Sequence, residues 1–267
     1  MLLAPGAEWN TPGVRPSTDP FDQPPWAMQL VVRVEKAVVP AGGRPPAPPA
    51  PPGGGPPAHG AVCAAAATAV VTLLTDPRAA DPEGEWHPSV ARWEAGRIRK
   101  VARRARGARW ADVQRLPGVT VDVQGAQVRA FVPGAVDEVP PEIAKLQVAG
   151  LDLPGEDEPK PPPEPPYAAI ALNPDAAMST GKAAAQSGHA AHLLLRQAPP
   201  PQAHAWIEGG LRVHIVPVRP EGRPAVEGGA EKVPWRRCVE HATVAVRDAG
   251  FTEVPPGTMT AAGWIVA

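Results

Sequence analysis

Proline divides this chain more firmly than any other residue. Residues 39–59 read VPAGGRPPAPPAPPGGGPPAH, and residues 153–166 read LPGEDEPKPPPEPP. Proline has no amide hydrogen, so such runs cannot continue a helix or the interior of a sheet. They predict extended excursions with PPII character. The chain therefore divides into a polar, proline-rich lead-in over 1–26 and a first domain over 27–152 that carries the insertion 39–59. An acidic linker over 153–166 and a second domain over 167–267 follow. Each domain is close to the roughly 100 residues of a small folding unit.

Composition narrows the class. The 267 residues include 39 Pro and 26 Gly, but 43% are hydrophobic, enough for packed cores between the proline runs. The net charge of −1 gives no overall field to draw in nucleic acid, so any such partner must meet a local patch. Aromatic residues are only 4%, too few for the stacking surface of a typical single-strand binder. Cys63 and Cys238 stand alone, so neither a disulfide framework nor a metal-ligand spacing is present, and no cofactor is expected. The opening MLLAPGAEW lacks the basic and apolar regions of a signal peptide, and no apolar run of about 18 residues occurs. A cytoplasmic protein without a membrane partner is expected.

Periodicity gives the element order. In the first domain, strands are expected at Met28–Val34, Arg97–Arg104, Val119–Val123, Val128–Phe131 and Ala144–Val148. Helices are expected at Gly60–Thr75, His87–Ala95 and Trp110–Leu116. In the second, strands fall at Ala168–Leu172, Leu211–Val218, Thr243–Arg247 and Ala261–Val266, with Pro217 marking an edge strand. Helices fall at Thr180–Leu195, Gln202–Glu208 and Pro234–His241. Both halves thus mix helices and strands, and the fold class is α/β.

Ser179 to Leu195, STGKAAAQSGHAAHLLL, carries the clearest chemical signal. Ser179 and Thr180 suit an N-cap. Lys182, Gln186 and His189 recur at helical spacing, which aligns an ammonium, an amide and an imidazole along one edge. Lys182 falls in the first turn, where the macrodipole already places partial positive charge. A lysine there, beside Gly181 and free amides, suits an anion such as phosphate.

The two halves also align with each other. Thr120 to Gly134 lies over Thr243 to Gly257 without a gap, with Thr, two Val, Ala, Pro and Gly coinciding. Trp93 with Gly96 echoes Trp206 with Gly209. The gapless match, at an offset of 123, sets Gly125 and Arg129 opposite Asp248 and Thr252. A separate helix match at offset 121, AVCAAAATAVVTLL over KAAAQSGHAAHLLL, sets Ala61, Ala65 and Thr68 opposite Lys182, Gln186 and His189. Together they imply a degenerate first copy, an intramolecular pseudo-dimer, and chemistry confined to the second half.

Two stretches of the second half resemble the archaeal/eukaryotic-type class of peptidyl-tRNA hydrolases. TGKAAAQSGHAA is similar to that family's GK-x-AAQ-x-x-HAA helix start, and VRDAGFTEVPPGTMT to its DAG-x-T-x-x-x-PG-T-x-T segment. The resemblance covers 167–267 and departs from the family at the helix entry, STGK in place of GKGK, and at Ser187-Gly188 in place of Cys-Ser. It implies a small three-layer αβα domain with a mixed four-stranded sheet, and hence, with the match between the halves, a tandem of two related domains of that kind. The reaction it implies is hydrolysis of the ester between a peptide and the 3′ ribose of tRNA, with peptidyl-tRNA as partner. It also implies catalytic roles for Lys182, Gln186, Asp248 and Thr252, with His189 a recurrent helix histidine. Thr180, Gly181 and Gly250 accompany them as substrate-binding positions.

Ester hydrolysis needs an activated water and a charge to stabilise the oxyanion. Asp248 is suited either to take the proton of that water or to orient Lys182. Arg97, Arg99, Lys100, Arg103 and Arg104, with Arg106 and Arg109 beyond them, form the densest basic run and would meet the tRNA polyanion. The competing reading is a non-catalytic RNA- or protein-binding module that keeps the fold.

Overall fold

The computed structural model describes residues 24–34, 57–153, 160–222, 231–250 and 252–267. Most of the lead-in, most of the proline insertion and the centre of the linker lie outside these residues. Two mixed sheets form the frame. In the first, strand β1 (Trp26–Arg33) pairs in parallel with β2 (Arg99–Ala105) and antiparallel with β4 (Ala126–Phe131), which pairs with β3 (Gly118–Val123). The two-residue β5 (Gly134–Ala135) pairs antiparallel with the start of β1. The second sheet repeats this plan: β6 (Tyr167–Leu172) pairs in parallel with β7 (Val213–Val216) and antiparallel with β11 (Met259–Val266), which pairs with β10 (Val244–Arg247). Strand order and pairing sense are the same in both.

The helices explain how the sheets meet. Helix α1 (His59–Thr75) is apolar on every face, and Val62, Ala66, Ala69 and Leu73 are fully buried. Such a helix cannot sit at a surface. It packs beside α6 (Thr180–Gln197), and the two form a middle layer between the sheets. Ala184 of α6 joins the first core with Met28, Leu30 and Val32; Ala64, Ala67 and Val71 of α1 join the second with Ile170 and Leu194. The contacts are reciprocal, α6 reaching β2 and α1 reaching β7. Gly188 permits the close approach, since a Cβ there would lie 3.0 Å from Val70 Cγ2 and 3.2 Å from Lys100 Cδ.

The short α2 (Pro77–Ala80) precedes α3 (His87–Ala95), which closes the first core with Trp93; α7 (Pro200–Glu208) closes the second with Trp206. The two tryptophans are used alike, Trp93 Nε1 donating to Arg99 O (3.1 Å) and Trp206 Nε1 to Arg212 O (2.8 Å). On the outer face of the first sheet, α4 (Ala108–Val113) and α5 (Pro141–Ala144) pack Trp110, Val113 and Ile143 onto Val31 and Phe131. Helix α8 (Trp235–His241) packs on β11, and β8 (Val218–Arg219) pairs with β9 (Val233–Pro234) as a separate ribbon. Among the described residues no helix is long and apolar enough to cross a membrane.

Four sequence expectations change. Trp26 opens β1 instead of ending the lead-in. Ala144–Val148 is not a strand: the Pro-Pro-Glu start nucleates α5, and one bridge, Arg104 to Gln147, remains. Leu211–Val218 is interrupted at Pro217, which has no amide to donate, and Val218 leaves for β9. The gapless match of the halves fails in register. It sets Ala130, a strand residue paired with Leu30, over Glu253, which lies in the loop before β11. The first half closes β3–β4 with the two-residue turn Gln124-Gly125, both at positive φ, where the second half has the eleven residues Asp248–Thr258.

Candidate active site

That longer loop carries the site. Asp248 follows β10, and its backbone pairs with Thr258 O (2.9 Å) and Gly257 N (2.7 Å), which closes the loop at its neck. Its Oδ1 accepts from Gly250 N at 2.8 Å. Gly250 sits at φ +80°, and a Cβ there would lie 2.4 Å from Pro256 Cγ, so no other residue fits this turn unchanged. The side chain of Asp248 is thereby aimed at α6.

From α6, Lys182 Nζ pairs with Asp248 Oδ2 and donates to Thr252 Oγ1 at 2.8 Å. Gln186 Nε2 donates to the same Oδ2 at 2.8 Å. The Gln186 carbonyl end is set by Thr260 Oγ1, which donates to Oε1 at 2.7 Å from a fully buried position. The Lys182 and Asp248 side chains are 12% and 10% exposed. Burial pushes the Asp248 carboxyl up, but the bonds from Lys182, Gly250 and Gln186, with the lysine charge, outweigh it and hold the carboxyl below its usual range. A carboxylate accepting three hydrogen bonds is a weak proton acceptor and a good orienting group.

These groups border a cleft of about 860 Å³ between the halves. Its walls are α6, the edge strand β10 with its loop, and the edge strand β2 of the other sheet. Lys182, Gln186, His189, Asp248 and Thr252 all line it, and Arg97, Arg99 and Lys100 face them.

The other expected positions lie differently. Thr180 is fully buried: its Oγ1 accepts from Leu153 N (2.9 Å) and lies 3.0 Å from His59 Nδ1. Gly181 borders the cleft, but its amide donates to Leu151 O, and the Lys182 amide donates to Ser179 Oγ. The Gly181 and Lys182 amides are therefore not free for an anion. The Glu253 carboxylate instead accepts from Ser179 N (2.7 Å) and Oγ (2.8 Å), a favourable place for negative charge. Gly250 shapes the turn and does not line the cleft. Arg103 is tied to Gln29 and Leu146 O, and Arg104 to Gln147, both outside the cleft.

Lys100 is not a surface cation. It is 8% exposed, and its Nζ lies 3.3 Å from Nδ1 of both His189 and His192 and 4.7 Å from the centre of the Trp93 ring. His192 stacks on Trp93, and its Nε2 lies 2.7 Å from Glu94 Oε1, which also receives Arg196. Burial pushes the Lys100 ammonium down to about 7, with Glu94 pulling the other way. His189 is held well below the usual imidazole range by burial, then by the charges of Lys100, His192 and Lys182.

Sequence reasoning did not single out Glu94, His192, Glu253 or Thr260. Thr260 ends the PGTMT stretch and His192 follows His189 by three residues, so both had a signal. The pairing of Glu94 with His192 crosses the two halves and had none. Among the described residues no three His, Cys, Asp or Glu side chains converge as a metal ion requires.

No solved structure matches this chain. The family model described as peptidyl-tRNA hydrolase PTH2 matches residues 168–265, the C-terminal half, and that stretch contains Lys182, Gln186, Asp248 and Thr252.

Proposed function

We propose that this chain hydrolyses peptidyl-tRNA at the ester joining the peptide to the 3′ ribose, in the cytoplasm where translation supplies that substrate. The carrying observation is the meeting of Lys182, Gln186, Thr252 and Asp248 in one cleft, within the stretch that matches the family. Asp248 orients and does not take the proton, because three donors and the Lys182 charge hold its carboxyl ionised, below its usual range. It holds Lys182 and Gln186 so that an ammonium and an amide face the scissile carbonyl. Water adds to that carbonyl, the oxyanion develops against Lys182, and the C–O bond to the ribose breaks. One proton of the water ends on the ribose oxygen and the other is released to solvent, leaving a peptide carboxylate and a free 3′ hydroxyl. Thr252 fixes the lysine from its other side.

The N-terminal half is a degenerate copy in this reading, and the chain is an intramolecular pseudo-dimer. Identical strand order, the two matched tryptophan bonds and the reciprocal α6–β2 and α1–β7 packing support it. The short β3–β4 turn explains why that copy has no Asp248 counterpart. Its contribution is β2, with Arg97 and Arg99 at the cleft placed to meet tRNA phosphate.

Release of labelled peptide from peptidyl-tRNA by the purified full chain tests the assignment. Lys182→Ala and Asp248→Asn should each lower kcat by about 100-fold or more, in line with loss of an oxyanion donor. The paired change of Arg97 and Arg99 to Glu should raise KM and flatten its salt dependence. Undiminished release by both Lys182→Ala and Asp248→Asn overturns the reading.

A further inference from the structure

The mechanism above leaves one cluster unused: Lys100, His189, His192, Glu94 and Trp93, assembled from both halves at the inner end of the same cleft. Its hydrogen bonding runs in one direction. Glu94 is ionised and accepts, so His192 Nε2 carries the hydrogen at the 2.7 Å contact, and its Nδ1 is then bare. A lysine ammonium can only donate, and Lys100 Nζ points at that bare Nδ1 and at Nδ1 of His189, each at 3.3 Å. The same donation leaves His189 with its hydrogen on Nε2. His189 lines the cleft, and its Nε2 has no protein partner among the described residues. On α6 it stands one turn beyond Gln186, the neighbour of Asp248.

We propose that Lys100, supplied by the N-terminal half, is a positioning residue of the active cleft: by donating to Nδ1 of His189 it holds that imidazole as the Nε2–H tautomer and so presents a neutral hydrogen-bond donor beside Lys182 and Gln186. The reaction served is the hydrolysis proposed above, on which this inference rests. The donor suits the oxyanion or the departing ribose oxygen. It adds to the site without adding a second cation next to Lys182. Burial opposes the Lys100 ammonium and Glu94 from α3 favours it; the other titratable groups of the cluster come from α6, His189 and His192 accepting from it, with Lys182 acting on His189 and Arg196 on Glu94. Where Lys100 has lost its proton, the amine accepts as readily as it donates, and the tautomer is no longer imposed. The first half thus takes part in the reaction and does not merely pack against the second.

Two measurements on the full chain test this. Nitrogen NMR of histidine-labelled protein reads which ring nitrogen of His189 bears hydrogen, with His189→Gln giving the assignment. The Nε2–H form is expected in the wild type at pH 6, shifting to a mixture in Lys100→Met. Peptide release should show kcat reduced by roughly 10- to 100-fold in Lys100→Met, with KM within about twofold. An alkaline fall of kcat near neutrality should be present in the wild type and absent from Lys100→Met. Lys100→Arg, a donor at every pH, should restore the Nε2–H form and move that fall to higher pH. A wild type with His189 in the Nδ1–H form overturns the proposal, even if the substitutions at Lys100 prevent folding. So does an unchanged kcat in a folded Lys100→Met chain. A wild type that releases no peptide while Lys182 and Asp248 remain paired overturns the hydrolase reading itself, which separates the two failures.

Discussion

Exchanging Lys100 for methionine should stabilise the fold near neutral pH, and by an amount that depends on pH. Methionine keeps most of the aliphatic stem that packs on Gly188 and Trp93 and removes the charge. In the unfolded chain the ammonium loses its proton near 10.5; in the fold, at 8% exposure, it does so at about 7. The fold therefore binds this proton more weakly by roughly 3–4 pH units, worth on the order of 5 kcal/mol against folding wherever the lysine stays charged. Methionine leaves two imidazole Nδ1 atoms without a donor, which costs about 1–3 kcal/mol. The net gain at pH 6–7 is about 2–4 kcal/mol. The sign follows from proton counting. Between about 7 and 10.5 the unfolded chain keeps a proton that the fold has released, so wild-type stability rises with pH by up to about 1.4 kcal/mol per unit. The variant has no such rise, and the gap should nearly close by about pH 9–10. Urea unfolding of both chains at pH 6.5, 7.5 and 8.5, compared pairwise, measures it and cancels groups common to both, including the buried Cys238 thiol. A difference that stays constant across the series, or a variant less stable at every pH, would refute the account of Lys100 as a buried charge.

Three other outcomes follow from the site. Thr260→Val leaves the Gln186 carbonyl end unpaired, so stability should fall by about 1–3 kcal/mol in urea unfolding and kcat by about tenfold, as the Gln186 amide loses its orientation. Gly250→Ala meets Pro256 at 2.4 Å and displaces the Asp248 turn; peptide release should drop by about 100-fold or more while circular dichroism stays native. The Asp248 carboxyl is held below its usual range, so the stability it contributes is complete above about pH 4 and is lost as pH falls through its lower folded value. Asp248→Asn should therefore flatten that acid loss in an acid-unfolding titration, and kcat should show no acidic limb from Asp248 above about pH 5.

Much of the local structure was readable along the chain because it depends on neighbours. Alanine-rich spacing marks α1 and α6, Ser179 caps α6, and the Asp-Ala-Gly turn places a carboxylate at a strand end. The helical repeat of Lys182, Gln186 and His189 determined by itself that these three share an edge. Two local readings misled. A gapless alignment cannot register a loop insertion, and a short apolar run at Ala144–Val148 does not distinguish a strand from a helix start after Pro-Pro. What only the tertiary structure decided is which charges remain available. Arg103 and Arg104 were consumed by Gln29, Leu146 and Gln147, the amides of the α6 entry by Leu151 and Ser179, and Lys100 was drawn inside between two histidines. The reason is physical: residue type and spacing state what a side chain can donate or accept, whereas burial and the partner arriving from a distant segment decide whether that capacity is already spent.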